Sequence, residues 1–152
     1  MTDTPEHIEL NESVLTSPNE SPVFSKQLIQ ALPVAVYTCN ADGYIQFYNK
    51  AAVDIWGREP LVGKDLWCGS WRILQLNGAY LPLEECPMAI ALKTGKPVRA
   101  QEVIIERPDG TCVNVLPHPD PLFDSDGKII GAVNTLVDIT DLRKSKQLNQ
   151  LL

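Results

Sequence analysis

Nonpolar residues in the second half of the chain fall into three short runs that are rich in β-branched side chains. The runs and the two turn signals between them are residues 102–106, Asp109-Gly110, residues 112–116, Asp126-Gly127 and residues 129–137. Because glycine tolerates the positive φ of a tight reversal, an Asp-Gly step between two such runs is typical of a β-hairpin. The pattern therefore predicts three consecutive antiparallel strands.

The first half of the chain predicts further strands and several helices. Residues 34–39 and 44–49 alternate around another Asp-Gly step, which predicts two more strands. A small hairpin is predicted over residues 72–81, around Asn77-Gly78. Helices are predicted over residues 25–32, 50–56 and 83–94, with Asn49 as the N-cap of the second.

The last predicted strand passes directly into an outgoing helix. Asp138-Ile139-Thr140 leads into residues 141–152, which are polar with scattered leucines. Thr140 is placed to accept a hydrogen bond from an amide of the new helix. An isolated helix of this length is marginal in water, so it needs a partner or a continuation. Such a junction is suited to transmitting a change of state.

Several short motifs occur in an order that resembles a PAS sensor domain. They are Asn49 and Ala51, the segment GREPLVGK at 57–64, RPDGT at 107–111, Gly131 and Asp138-Ile139-Thr140. The likeness covers roughly residues 23–140. The segment ECPMA at 85–89 and the proline-rich run at 116–122 are similar to PAS domains at the input end of bacterial histidine kinases, which act in two-component systems.

The resemblance implies an α+β fold, with a five-stranded antiparallel sheet and helices packed across one face. The hairpin near 72–81 is an addition, at a place where the family usually has short helices. The implied organisation is a disordered tail (1–22), a sensor domain (23–140) and the start of a C-terminal signalling helix (141–152).

Charge and hydropathy exclude some function classes. The net charge is −6 and the sequence pI is about 4.8, and lysine and arginine do not cluster, so a nucleic-acid surface is not expected. No nonpolar run reaches the roughly 18 residues that a membrane span requires. The chain is therefore expected to be cytoplasmic, with no membrane or nucleic-acid partner.

The resemblance also implies a ligand pocket on the inner face of the sheet. Strand parity leaves two candidate faces for residues 132–137, and the likeness to cofactor-binding relatives favours the face with Ala132, Asn134 and Leu136. The pocket candidates are Met88, Gln101, Val103, Ile105, Val113, Val115, Asn134 and Leu136. The alternative is that these residues form an ordinary packed core. Trp67 and Trp71 either cover the pocket or fill that core.

Candidate cofactor chemistry is weak. Cys86-Pro87 lies on the helix that supplies the axial histidine in haem-binding relatives, which leaves Cys86 as a minor candidate haem ligand. The Asn-Cys-Arg motif of flavin-adduct relatives is absent, so neither haem nor flavin is supported and the cofactor stays unknown. The four cysteines lack the short spacings of a zinc site, and no metal site is expected.

These observations favour a sensory module that binds a small ligand or partner and passes its state through the C-terminal helix to a kinase or other output. Asp138 and Thr140 are the expected relay residues, and a homodimer is expected. The alternatives are a ligand-free dimerisation or docking domain, and an enzyme acting on a small nonpolar substrate. No nucleophile or acid can be paired with a base, so catalytic residues are not predicted.

Overall fold

The computed structural model describes residues 27, 28 and 30–151, and the expected disordered tail, residues 1–22, lies outside them. In chain order the strands are β1 (Ala35–Asn40), β2 (Ile45–Tyr48), β3 (Arg72–Leu74), β4 (Tyr80–Leu81), β5 (Val103–Glu106), β6 (Cys112–Phe123) and β7 (Ile129–Asp138). The helices are α1 (Lys50–Trp56), α2 (Pro87–Thr94) and α3 (Thr140–Leu151), and a short 3-10 turn, Leu83–Glu85, precedes α2.

The strands form one antiparallel sheet in the order β2-β1-β7-β6-β5-β3-β4. The expected α+β fold is confirmed, but the sheet has seven strands and not five. The predicted hairpin is present as β3 and β4, and β3 pairs with β5, where Ile73 lies opposite Ile105. Ile73 is buried, so the hairpin extends the sheet and contributes to its core.

Strand β6 is longer than its β-branched run predicts. It continues through Pro117, Pro119 and Pro121 and stays paired with β7 along that length. The carbonyl of Pro119 accepts a hydrogen bond from the Val98 amide, on the side of β6 away from β7. The backbone nitrogens of these prolines face the same side, so the N–H groups that proline lacks are not missing from the pairing with β7. Strand β5 pairs only as far as Val115 there, and proline is tolerated because no ladder bond is lost.

The core lies between the inner face of the sheet and helices α1 and α2. Strand β7 buries Ala132, Asn134 and Leu136, while Val137 on its other face is exposed. Helix α1 contributes Ala52 and Trp56. Side chains of α2 and of β5 and β6 complete this core: Met88, Leu92, Val103, Ile105, Val113 and Val115.

Helix α3 differs from α1 and α2 because most of its side chains are polar and its described leucines are exposed. Leu142 and Leu148 are both exposed, and α3 meets the rest of the domain mainly at β6. Within the described part of the chain, none of the helices has both the length and the nonpolar character needed to cross a bilayer.

Candidate functional site

The structure places most of the pocket candidates in the packed core. Met88, Ile105, Val113, Val115 and Leu136 belong to one contiguous cluster of buried residues. Val103 also belongs to that cluster, but it additionally lines a surface groove that is described below. Gln101 is only half-buried and lies in the same groove. The eight candidates therefore divide between the interior and the groove.

Asn134 is the polar pocket candidate that lies in the interior, and its side chain is hydrogen-bonded within the protein. Its Oδ1 accepts from the backbone N–H of His118 at 3.0 Å, and its Nδ2 donates to the hydroxyl of Tyr37 at 3.3 Å. That hydroxyl donates to the carbonyl of Trp67 at 2.8 Å. A buried amide with partners on both of its atoms has lost much of its capacity to hold a ligand.

The buried thiols are held neutral. Burial raises the pKa of the Cys86 thiol to about 12, and burial also raises the pKa values of Cys39 and Cys68. Cys86 is 2% exposed and packs within the core cluster, so the residues around it do not fit a haem held by this thiol. In the described part of the chain, no group of three or more His, Cys, Asp or Glu is arranged to hold a metal ion.

A surface groove of about 650 Å³ lies between the hairpin, α2 and the start of β5. Its nonpolar lining is Leu76, Leu81, Ile90 and Val103, and its polar lining is Gln75, Glu84, Glu85, Lys93, Gln101 and Glu102. Lys93 is already engaged, because its Nζ donates to the Glu84 carbonyl at 2.7 Å and lies 5.0 Å from the Trp67 ring centroid. With six polar and four nonpolar residues in its lining, the groove offers a ligand more polar contacts than the mostly nonpolar lining of a usual small-molecule site.

Glu102 connects this groove to the C-terminal helix. Its carboxylate accepts two hydrogen bonds from the Arg143 guanidinium, from Nε at 2.8 Å and from Nη2 at 2.9 Å. Asn114 Nδ2 donates to the same carboxylate at 3.1 Å. The Glu102 side chain is only 15% exposed, so this bidentate pair is better shielded from water than an ordinary surface salt bridge.

Asp138 and Thr140 lie at the same junction, together with Asn114. The backbone N–H of Asn114 donates to Thr140 Oγ1 at 3.0 Å, and its carbonyl accepts from Ile139 at 2.9 Å. Asp138 Oδ1 accepts from the Thr140 amide at 2.9 Å. The expectation that Thr140 caps the helix is wrong, because its hydroxyl binds β6. The start of α3 is thus fixed to the sheet by Asn114 and Asp138.

The attachment of α3 is expected to weaken in acid. The hydrogen bond from Arg143 and, to a smaller extent, that from Asn114 hold the pKa of Glu102 below its ordinary value of 4.5, against the opposing effect of burial. A lowered folded-state pKa stabilises the fold above the ordinary value, and this contribution is lost as the pH falls through the lowered pKa. The Arg143 Nε–Hε resonance, followed by NMR from neutral pH downward, should move below pH 4.5 in the native chain. In Glu102→Gln it should stay constant, and an identical titration in both proteins would contradict this assignment.

The Glu102–Arg143 pair is the part of this region that sequence reasoning misses. The sequence gives no reason to single out Glu102, because its partner lies 41 positions away along the chain. The available signals were the placement of Glu102 at the entrance to a strand and of Arg143 in the first turn of the outgoing helix. Neither signal identifies the other residue without the fold.

Comparison with known proteins identifies the fold. A family model described as PAS domain matches residues 33–141, whereas no curated protein matches the chain. An RNA-binding light-oxygen-voltage receptor is 19% identical with a TM-score of 0.60, and the match covers 97% of this chain and 40% of the receptor. The PAS domain of Bordetella pertussis BvgS is 23% identical, with a TM-score of 0.54 and coverages of 86% and 97%. The light-oxygen-voltage domain of the Erythrobacter litoralis EL346 blue-light-activated histidine kinase is 21% identical, with a TM-score of 0.53 and coverages of 72% and 98%.

Proposed function

The chain belongs to the PAS domain family, and on that premise we propose that it is a sensory signalling module whose groove binds a small molecule. The C-terminal helix α3 passes the bound state to an output. One observation carries this proposal: Glu102 both lines the groove and holds Arg143 of α3. A ligand that contacts this carboxylate competes with the helix for it.

The mechanism is a shift between two populations of α3. In the state described here Glu102 holds Arg143, and the junction at Asn114 fixes the helix start. A ligand that binds Gln101 and Glu102 favours a second state in which Arg143 is released. A ligand shifts such an equilibrium only by its difference in affinity for the two states. A partly exposed ion pair contributes about 1 kcal/mol, so the shift through Glu102 alone is about fivefold.

The assembly around the module is proposed on the same grounds. Residues 23–140 form the sensor, and the helix beginning at Thr140 continues toward a sensor kinase or another output domain. Leu142 and Leu148 are exposed on α3, and these leucines are available to contact a second copy in a homodimer. All four cysteines are free, which supports a reducing, cytoplasmic setting.

The ligand-free dimerisation or docking domain remains the second candidate. The packing of Met88, Ile105, Val113, Val115 and Leu136 into one core, and the internal partners of Asn134, favour it over a ligand held in the interior. A non-catalytic role is proposed under either reading.

Occupation of the groove is tested with a matched pair of leucine variants. Leu76 lines the groove and is 51% exposed, and Leu61 is 60% exposed and lies outside that lining. We expect fragments from a small-molecule library to shift the backbone resonances of Gln101 and Val103 in the native chain. Leu76→Arg should abolish these shifts and Leu61→Arg should preserve them. If no fragment shifts the resonances of Gln101 and Val103, or if the fragments bind both variants equally, the ligand-free candidate would be favoured.

A further inference from the structure

The hairpin carries an exposed cluster that plays no part in the groove or in the helix junction. Trp71 is 41% exposed and Tyr80 is 59% exposed, and the guanidinium of Arg72 lies between them. Its central carbon is 4.0 Å from the Trp71 ring centroid and 5.3 Å from that of Tyr80. Arg72 Nη1 also donates to the Tyr80 hydroxyl at 2.9 Å. The two rings and this hydrogen bond fix the guanidinium in one orientation.

Arg72 is a positive group without a carboxylate partner among the described residues. The described ion pairs of other arginines are Arg58–Asp65, Arg99–Asp120 and Arg143–Glu102. Arg107 also has no described ion pair, but its guanidinium donates to two backbone carbonyls and to the Thr111 hydroxyl. Glu106 lies opposite Arg72 in the β3–β5 register, yet the two do not form an ion pair. The remaining N–H groups of an oriented guanidinium match the two oxygens of a carboxylate.

A nonpolar cleft of about 430 Å³ adjoins the cluster. Besides the cluster itself, it is lined by Ile73, Leu81, Pro82 and Leu83. It shares only Leu81 with the lining of the ligand groove. The cleft can receive a nonpolar side chain that lies beside a carboxylate bound to Arg72.

We propose that the Trp71–Arg72–Tyr80 cluster is a docking site for a protein segment that carries an acidic residue next to a nonpolar one. Tryptophan, tyrosine and arginine are the residue types that contribute most to protein interfaces. Charge complementarity favours an acidic partner at Arg72. A single-stranded nucleic acid could stack on the same rings, but it carries one phosphate per nucleotide and the cluster offers a single cation, which matches one carboxylate better than a phosphate backbone.

The test uses the full chain and two synthetic peptides, acetyl-Glu-Leu-Glu-Leu-Glu-amide and its neutral counterpart with glutamine at each glutamate. We expect the acidic peptide to shift the Trp71 indole N–H resonance, and the neutral peptide to bind about tenfold more weakly, because the charge-assisted bond is lost. Arg72→Gln should weaken the binding of the acidic peptide by a similar factor. Arg99→Gln, which removes an arginine elsewhere on the surface, should leave its affinity unchanged.

Trp71→Ala is a second variant, which removes one aromatic ring of the Trp71–Arg72–Tyr80 cluster and keeps the charge of Arg72. It should also weaken the acidic peptide, with the resonance dispersion of the folded protein retained. The proposal is overturned if the two peptides bind equally, or if the acidic peptide shifts residues away from the hairpin. Undiminished binding to both Arg72→Gln and Trp71→Ala, or binding of an oligothymidylate in preference to the acidic peptide, would overturn it as well.

Discussion

Replacing Glu102 with glutamine is expected to detach helix α3 from the sheet. The variant keeps the size of the side chain and loses the charge that holds the Arg143 guanidinium through two hydrogen bonds. Loss of a partly shielded ion pair of this kind costs about 1 kcal/mol, so amide hydrogens in the first turns of α3 should exchange about fivefold faster. Hydrogen exchange followed by NMR measures this directly.

Glu106→Gln is the matched control for this prediction. Glu106 lies four residues further along the same strand region, outside the groove lining, and it forms no ion pair in the described structure. Its replacement should leave exchange in α3 unchanged. Equal acceleration in both variants would show that net charge, and not the Glu102–Arg143 pair, controls the helix.

Replacing Asn49 with alanine is expected to cost the most stability. Asn49 is fully buried, and its Oδ1 accepts from the amides of Val36 and Ala52, both at 3.0 Å. Its Nδ2 donates to the carbonyl of Val34 at 2.7 Å. The side chain therefore both caps α1 and fixes the start of β1. Loss of a helix cap and exposure of buried unpaired backbone groups together cost about 3 kcal/mol.

Thermal or denaturant unfolding measures that loss, with Asn40→Ala as the control. The Oδ1 of Asn40 also accepts from two backbone amides, those of Asp42 and Tyr44, but within an exposed turn. Water can replace these bonds, so the control should lose less than about 1 kcal/mol. Similar losses of unfolding free energy in the two variants would mean that the burial of Asn49 does not explain its contribution to stability.

Most of the strands and the cap of α1 were predictable because local chemistry determines them. Asp-Gly steps positioned the hairpins, and the N-cap at Asn49 is confirmed by its bond to the Ala52 amide. The resemblance to PAS domains is confirmed as well. The second role of Asn49, on β1, was invisible because Val36 lies 13 positions away from it.

The errors in the fold have non-local causes. The hairpin was predicted as an addition to a five-stranded sheet. Its pairing with that sheet was not predicted, because it depends on the distant strand β5 that Ile73 meets. The extension of β6 through three prolines was missed because proline tolerance depends on whether a neighbouring strand needs its N–H. The strand propensity of a single segment does not show which other strand it will pair with, or whether a neighbouring strand needs its N–H groups.

The candidate site was less predictable than the fold. The resemblance to cofactor-binding relatives placed Val103 and Ile105 on the inner face, but it could not show that the protein itself engages Asn134. The groove is formed by three separate segments, so only Gln101, Val103 and their sequence neighbours could be anticipated. Asp138 and Thr140 were named as relay candidates from a motif, whereas the bond between Thr140 and Asn114 required the packed structure.

The most direct test of the account is to measure whether occupation of the groove reaches Arg143. A fragment that shifts the resonances of Gln101 is titrated into the native chain and into Glu102→Gln, while the Arg143 Nε–Hε resonance is recorded. The account predicts that Arg143 moves in step with Gln101 in the native chain. In the variant the fragment loses its contact with the carboxylate and binds more weakly, and at concentrations that still shift Gln101 the Arg143 resonance does not respond. An Arg143 resonance that stays constant in the native chain as the groove fills would contradict the account.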